Sequence, residues 1–159
     1  MKKYLRLFLI LICVFCLAGC NDDKKEKTEL TVIENSGANT IYIYFPQGSQ
    51  VKKADEKYQL KQPDSVSASV EEVMSVMSEN LGDTFQYHTY MLDADNNVTL
   101  ELYINGEVSK EYKLLAKAAI TETLFQIEDV NSIQIKFRDE EGSIIDDGLY
   151  LPESFYFYE

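Results

Sequence analysis

Tyr112-Lys113-Leu114-Leu115-Ala116-Lys117-Ala118-Ala119-Ile120-Thr121-Glu122-Thr123-Leu124-Phe125-Gln126-Ile127 is the stretch that decides the fold. Tyr112, Leu115, Ala116, Ala119, Ile120, Thr123, Leu124 and Ile127 recur at steps of three and four, which places them on one face of an α-helix. Lys110, Lys113, Lys117 and Glu122 fall on the other side and are expected in solvent. Ala116 and Ala119 are small enough to let the helix approach a sheet closely. The segments on either side switch to a period of two, the spacing of half-buried strands.

Downstream, Asp129-Val130-Asn131 turns the chain, and Ile133, Ile135 and Phe137 alternate with Gln134 and Lys136. Asp139-Glu140-Glu141-Gly142 reads as a hairpin loop with Ser143-Ile144-Ile145 returning. Asp146-Asp147-Gly148 reads as a break, and the aromatic Tyr150–Tyr158 as a last strand at the sheet edge. Upstream, Thr84–Leu92 and Val98–Ile104 form a hairpin about Asp93–Asn97, with Phe85, Tyr87, Thr89 and Met91 on one face. Asn105-Gly106 is a strong turn dipeptide.

Further upstream, Val70, Val73, Met74, Met77 and Leu81 give a first helix. Pro63-Asp64-Ser65 opens it, Ser69 or Ser67 is expected to cap it, and Gly82 ends it. The Met pair reads as core filler. Thr40-Ile41-Tyr42-Ile43-Tyr44-Phe45 has no polar interruption and suits a central strand covered on both faces. Val51–Lys61 is extended but weakly patterned, and Leu30–Ile33 is a short edge strand. These elements predict an α+β fold. Two helices pack on one face of a mostly antiparallel sheet in the order strand-helix-strand-strand-helix-strand, with extra C-terminal strands.

The first residues carry a different signal. Lys2, Lys3 and Arg6 precede an apolar run from Leu7, and Leu17-Ala18-Gly19-Cys20 follows as a lipobox. Positive charge holds such a start at the anionic cytoplasmic leaflet. Small residues at 18 and 19 admit a peptidase, and the Cys20 sulfur is the nucleophile that takes a diacylglycerol, with fatty-acyl chains such as palmitate. Leu7–Gly19 is 13 residues, against roughly 20 for a bilayer-spanning helix, so a removed signal is expected rather than a permanent span. The division that follows is residues 1–19 as signal peptide, 20–29 as a flexible polar tether, and 30–159 as a single domain.

Charge narrows the partners. Removing residues 1–19 takes away three of 15 basic residues and none of the 27 acidic ones, leaving a net charge of −15. Nucleic acid phosphates would be repelled, and adsorption on anionic lipid beyond the anchor is disfavoured. A basic protein partner or a cation-rich cell wall surface fits that charge. The three cysteines are Cys13, Cys16 and Cys20. Two leave with the signal and one is lipidated, so the domain has neither a disulfide nor a cysteine-based metal site.

Reaction signatures are missing from the residues. His88 is the only histidine and lies among strand aromatics, where a structural or surface role is expected. No Gly-x-Ser-x-Gly, His-Glu-x-x-His or glycine-rich phosphate loop occurs. Asp93-Ala94-Asp95-Asn96-Asn97 begins like a calcium loop. However, the sixth and twelfth positions, which need Gly and Glu, hold Val98 and Ile104. It reads as a hairpin turn. Asp139-Glu140-Glu141 and Asp146-Asp147 read as solvated loops that protect sheet edges, with loose divalent binding the other option. The expectation is no catalytic residue, no cofactor and no metal.

Ile41-Tyr42-Ile43-Tyr44-Phe45-Pro46-Gln47-Gly48, the helix start Ser69-Val70-Glu71-Glu72-Val73-Met74, and Leu115–Ile127 followed by Glu128-Asp129-Val130-Asn131-Ser132-Ile133-Gln134-Ile135 carry a family likeness. Through them the chain resembles the GerMN domain of bacterial sporulation and spore germination proteins over roughly Thr40–Gly148. The resemblance implies a membrane-anchored lipoprotein of a Gram-positive, frequently spore-forming bacterium. It also implies a fold similar to ring-building motifs, which assemble side by side in envelope complexes, and no catalysis.

Two functions are therefore expected. The first is a non-enzymatic domain held at the extracytoplasmic face of the cell membrane by the lipid on Cys20. It would dock envelope proteins or copies of itself, with a possible link to sporulation or germination. The alternative is a surface lipoprotein that binds a small ligand or cell wall glycan on exposed tyrosines; a deep, tyrosine-lined pocket would favour it.

Overall fold

In the computed structural model, which describes residues 39–154, strands Thr40–Gln47 (β1) and Gln50–Gln59 (β2) lead into helix Val66–Leu81 (α1). Strands Phe85–Leu92 (β3) and Asn97–Ile104 (β4) follow. Helix Lys110–Leu124 (α2) precedes strands Ser132–Arg138 (β5) and Ile144–Tyr150 (β6). The fold is α+β and mostly antiparallel. The strands divide into a four-stranded sheet in the order β3-β4-β5-β6 and a separate ribbon, β1-β2. Only β4 and β5 run parallel, and α2 supplies the crossover that parallel neighbours need. These elements belong to one unit, Ser36–Glu159. The expected Leu30–Ile33 strand, the signal, the tether and Cys20 lie outside the described residues.

The sheet is one-sided. Val98, Leu100, Leu102 and Ile104 of β4 and Ile133, Ile135 and Phe137 of β5 are buried, while the alternate residues are half exposed. The helices close the apolar face. Met74, Met77 and Leu81 of α1 and Ala116, Ala119, Ile120 and Leu124 of α2 complete one continuous core with Ile41 and Ile43 of the ribbon. Phe85 stacks obliquely on Phe137 and Tyr112, with ring centroids 5.2 and 5.6 Å apart.

Several elements differ from the sequence reading for identifiable reasons. Thr40–Gln47 is not central in the main sheet. It pairs with β2 on one side, while Thr123 of α2 and Gln126 just beyond the helix bond the other. Its apolar run is explained by a strand lying on a helix rather than between two strands.

In β3 the pairing shifts between Tyr87 and Thr89, so a bulge at His88 reverses the alternation. The inward residues are Phe85, Tyr87, Tyr90 and Leu92, and Met91 is 56% exposed.

Ser65, not Ser69 or Ser67, caps α1 by accepting from the Ala68 amide. Ser69 is buried and donates its hydroxyl to the Gln62 carbonyl. Gly82 ends the helix at φ +66°, a left-handed conformation that favours glycine.

The Asp146-Asp147-Gly148 break is absent. These residues lie within β6, and the strand ends at Tyr150. A side chain at Gly148 would run into the ring of Tyr150, which lies back over it. Residues 155–158 of the expected last strand lie outside the described residues.

Lys117 is only 6% exposed, against the expectation of a solvent position. Its ammonium reaches Asp146 of β6 and lies over the rings of Phe137 and Tyr150, so the β5–β6 side of the sheet covers it.

Candidate functional site

The polar groups of the domain are held by local structure, and each cluster can be traced to the elements that place it. At the junction of β2 and α1, the Tyr58 hydroxyl donates to Glu72 Oε1 at 2.7 Å, and the Lys61 amide donates to Oε2 at 3.1 Å. The Glu72 carboxylate beside Tyr58 pushes its phenol up to about 12, with burial adding to the effect. A groove of 340 Å³ lies here, lined by Tyr58, Lys61, Gln62, Ala68, Glu71, Glu72, Ser75 and Val76. Its single tyrosine is already committed to Glu72. It is not the deep, tyrosine-lined pocket that would favour the glycan alternative.

On the open face of the sheet, Arg138 clamps Glu101 across β5 and β4. Its Nε and Nη2 each donate to a carboxylate oxygen at 2.9 Å. That two-pronged contact holds the Glu101 carboxyl below its ordinary range and raises the guanidinium. The His88 ring meets Tyr103 edge-on at 5.0 Å. His88 is exposed at the bulge. The only histidine therefore sits beside an aromatic ring and an ion pair that are both structural.

The Asp93 turn is closed on itself. Asp93 Oδ1 accepts from the Asp95 and Asn97 amides at 2.9 Å, and Oδ2 accepts from Asn97 Nδ2 at 2.9 Å. The Asn97 side chain is the main cause that lowers the Asp93 carboxyl. Asn131 Nδ2 then donates to the Asp95 carbonyl at 2.6 Å, tying the turn to the loop before β5. In the acidic hairpin, Asp139 Oδ1 accepts from the Glu141 and Ser143 amides. These carboxylates organise turns, which is the work of Asx residues at such positions. Among the described residues no group of three or more His, Cys, Asp or Glu converges as metal ligands would.

One interior pair joins a helix residue expected in solvent to the last strand. Lys117 Nζ donates to Asp146 Oδ1 at 2.6 Å and lies 5.4 Å from the Phe137 ring centroid. The lysine side chain is 7% exposed and the aspartate 27%. The clue available beforehand was the run Ala116-Lys117-Ala118. Small neighbours on both sides leave too little polar surface for a solvent face.

A second feature that sequence reasoning missed is the polar edge of β1 against α2. Thr123 Oγ1 accepts from the Tyr44 amide at 2.9 Å and itself donates to the Ala119 carbonyl at 2.8 Å. Gln126 takes both backbone groups of Tyr42.

The remaining surface of note is β6. It pairs with β5 along one side and has no strand on the other among the described residues. Ile144, Ile145 and Leu149 on it, and Leu151 just beyond, are large apolar residues exposed by about half or more. Cys20, the one residue the sequence assigns a chemical fate, lies outside the described residues. No described helix is long and apolar enough to cross a membrane.

In class, the fold is an α+β domain in which two helices close the apolar face of a four-stranded sheet and a two-stranded ribbon lies with one edge against α2. Compared with known proteins, the chain matches no family model, no curated protein and no solved structure.

Proposed function

We propose that this protein is a lipid-anchored domain of the bacterial cell envelope that works by contact with other proteins or with copies of itself, not by turnover. The observation that carries the contact reading is β6, an edge strand with Ile144, Ile145, Leu149 and the adjoining Leu151 in solvent. Edges of this kind are templates for another chain, and exposed apolar groups strengthen such pairing. The anchor rests on Leu17-Ala18-Gly19-Cys20 behind a short basic and apolar start. The GerMN-like stretches support a place in envelope assembly, with sporulation or germination as its setting.

The test is crosslinking in intact cells with a photoreactive residue at position 149, in the anchored chain and in Cys20→Ala. Discrete adducts of fixed mass at position 149, lost in Cys20→Ala, are expected. No adducts at position 149 in the anchored chain, or turnover of a substrate by the purified protein, would overturn the reading.

A further inference from the structure

The charge of the domain is unevenly placed. Residues 39–61, which include the ribbon, hold four lysines (Lys52, Lys53, Lys57 and Lys61) against Asp55 and Glu56, a net charge of +2. Residues 62–154 hold five basic residues against 19 acidic ones, a net charge of −14. The ribbon itself, residues 40–59, holds three lysines against Asp55 and Glu56, a net charge of +1 on an otherwise acidic body, and Lys61 just beyond it faces Glu72 at 4.0 Å.

Its lysines are also gathered by the backbone. Tyr42 pairs with Lys57 and Tyr44 with Lys53, so three residues of β2, Ala54 to Glu56, stand opposite Ile43 alone. This bulge brings Lys53 and Lys57 to the same aromatic ring, with ammonium nitrogens 4.7 and 5.5 Å from the Tyr42 centroid. A ring beneath two ammonium groups holds them close without neutralising either. Lysine and tyrosine together are suited to an interface that is apolar on one side and wet on the other.

We infer that the ribbon face around Tyr42, Lys53 and Lys57 rests on anionic lipid headgroups and orients the anchored domain on the membrane. The inference depends on the lipid anchor proposed above. The described residues begin at Asn39, 19 residues after Cys20, and 19 residues reach at most about 65 Å. The polar tether expected at residues 20–29 does not by itself fix which side faces the leaflet. The surface potential does: it attracts the basic ribbon and repels the acidic body. Screening limits the field to about 8 Å at physiological salt. Only the end in contact therefore feels it, and the net negative charge of the whole chain does not prevent a local basic contact. Lys110 serves as an internal reference. It begins α2, whose opposite end, Leu124, lies about 21 Å away along the helix, beside the contacts of Thr123 and Gln126 with β1.

The experiment uses the lipidated chain purified from membranes and inserted into vesicles of phosphatidylcholine, alone or mixed with phosphatidylglycerol. Lysine acetylation is then read by mass spectrometry. In the mixed vesicles, Lys53 and Lys57 are expected to react about fivefold more slowly relative to Lys110, and high salt is expected to restore them. Equal relative reactivity in both vesicles, with the protein floating in both, overturns the inference and leaves the anchor standing. Failure to float with either vesicle overturns the anchor itself. Equal protection of Lys53 and Lys57 in the neutral vesicles would assign the ribbon to the acidic body of a second copy and overturn the lipid contact.

Discussion

The side-chain amide of Gln126 stands in for a neighbouring strand at Tyr42. Its Oε1 accepts from the Tyr42 amide at 2.8 Å, and its Nε2 donates to the Tyr42 carbonyl at 2.8 Å. A side chain two residues past the end of α2 thus reproduces both hydrogen bonds that a β partner would make. The contact explains how a two-stranded ribbon, marginal alone in water, is held on the domain. Gln126→Ala is expected to lower stability by about 1 kcal/mol, the net worth of a typical exchange with water. Amide exchange at Tyr42 should speed up while that of Leu102 in the main sheet follows only the global change. Uniform acceleration across both would show that Gln126 does not hold the ribbon locally.

The interior pair makes an asymmetric prediction. Asp146→Ala leaves a buried ammonium without its partner and is expected to cost about 3 kcal/mol or more. Lys117→Met keeps most of the volume and leaves Asp146, the more exposed partner, free to take up water, so its cost should be clearly smaller. The double variant Lys117→Met/Asp146→Leu should recover most of the loss. Denaturant unfolding of the three variants checks the order. Equal losses for the two single variants would contradict the unequal burial.

Alkaline stability follows from two phenols. Glu72 pushes Tyr58 up to about 12, and burial pushes Tyr87 to about 12, with Tyr90 and Glu71 adding to it. Both are raised above the ordinary value of 10.0. The stability linked to them is therefore fully present below pH 10 and is lost as the pH rises toward 12. Absorbance titration at 295 nm should show a late component near pH 12. It should shrink in Tyr58→Phe and again in Tyr87→Phe. A titration complete by pH 11 would contradict the assignment.

Acid acts with the opposite sign. Glu101 is held low by Arg138, and Asp93 by Asn97. Their contribution is present above the ordinary carboxylate range and falls away as the pH drops through the lowered values. Glu101→Gln is expected to flatten the acid limb of a melting-temperature profile and to leave the profile above pH 6 parallel to the parent. An unchanged acid limb would show that the Arg138 contact is not formed in solution.

The α+β class was legible because β4, β5 and α2 repeat apolar residues at the periods their burial requires. Val98 to Ile104, Ile133 to Phe137 and Leu115 to Leu124 fall almost where the alternation puts them. The rest depended on information that periodicity does not carry. A single extra residue at His88 reverses the face of Tyr90 and Met91, and the local sequence there remains an unbroken strand pattern. Lys117 is buried because Asp146, Phe137 and Tyr150 of β5 and β6 close over it, and a helix pattern read alone does not show which strands lie over its charged side. Ser65 wins the cap from Ser69 because Ser69 is turned inward to Gln62. Of the candidate chemistry, the Asp93 turn was read correctly from its spacing. The Lys117–Asp146 pair joins residues 29 positions apart, beyond the reach of any local pattern.

The proposed anchor makes Cys20 the covalent link between the domain and the membrane. Intact-mass measurement of the protein extracted from cell membranes tests that link directly. The predicted mass lacks residues 1–19 and carries a diacylglycerol on Cys20 through a thioether that survives hydroxylamine. A protein recovered from the soluble fraction with a free thiol at Cys20, or with Leu17-Ala18-Gly19 still attached, would contradict it.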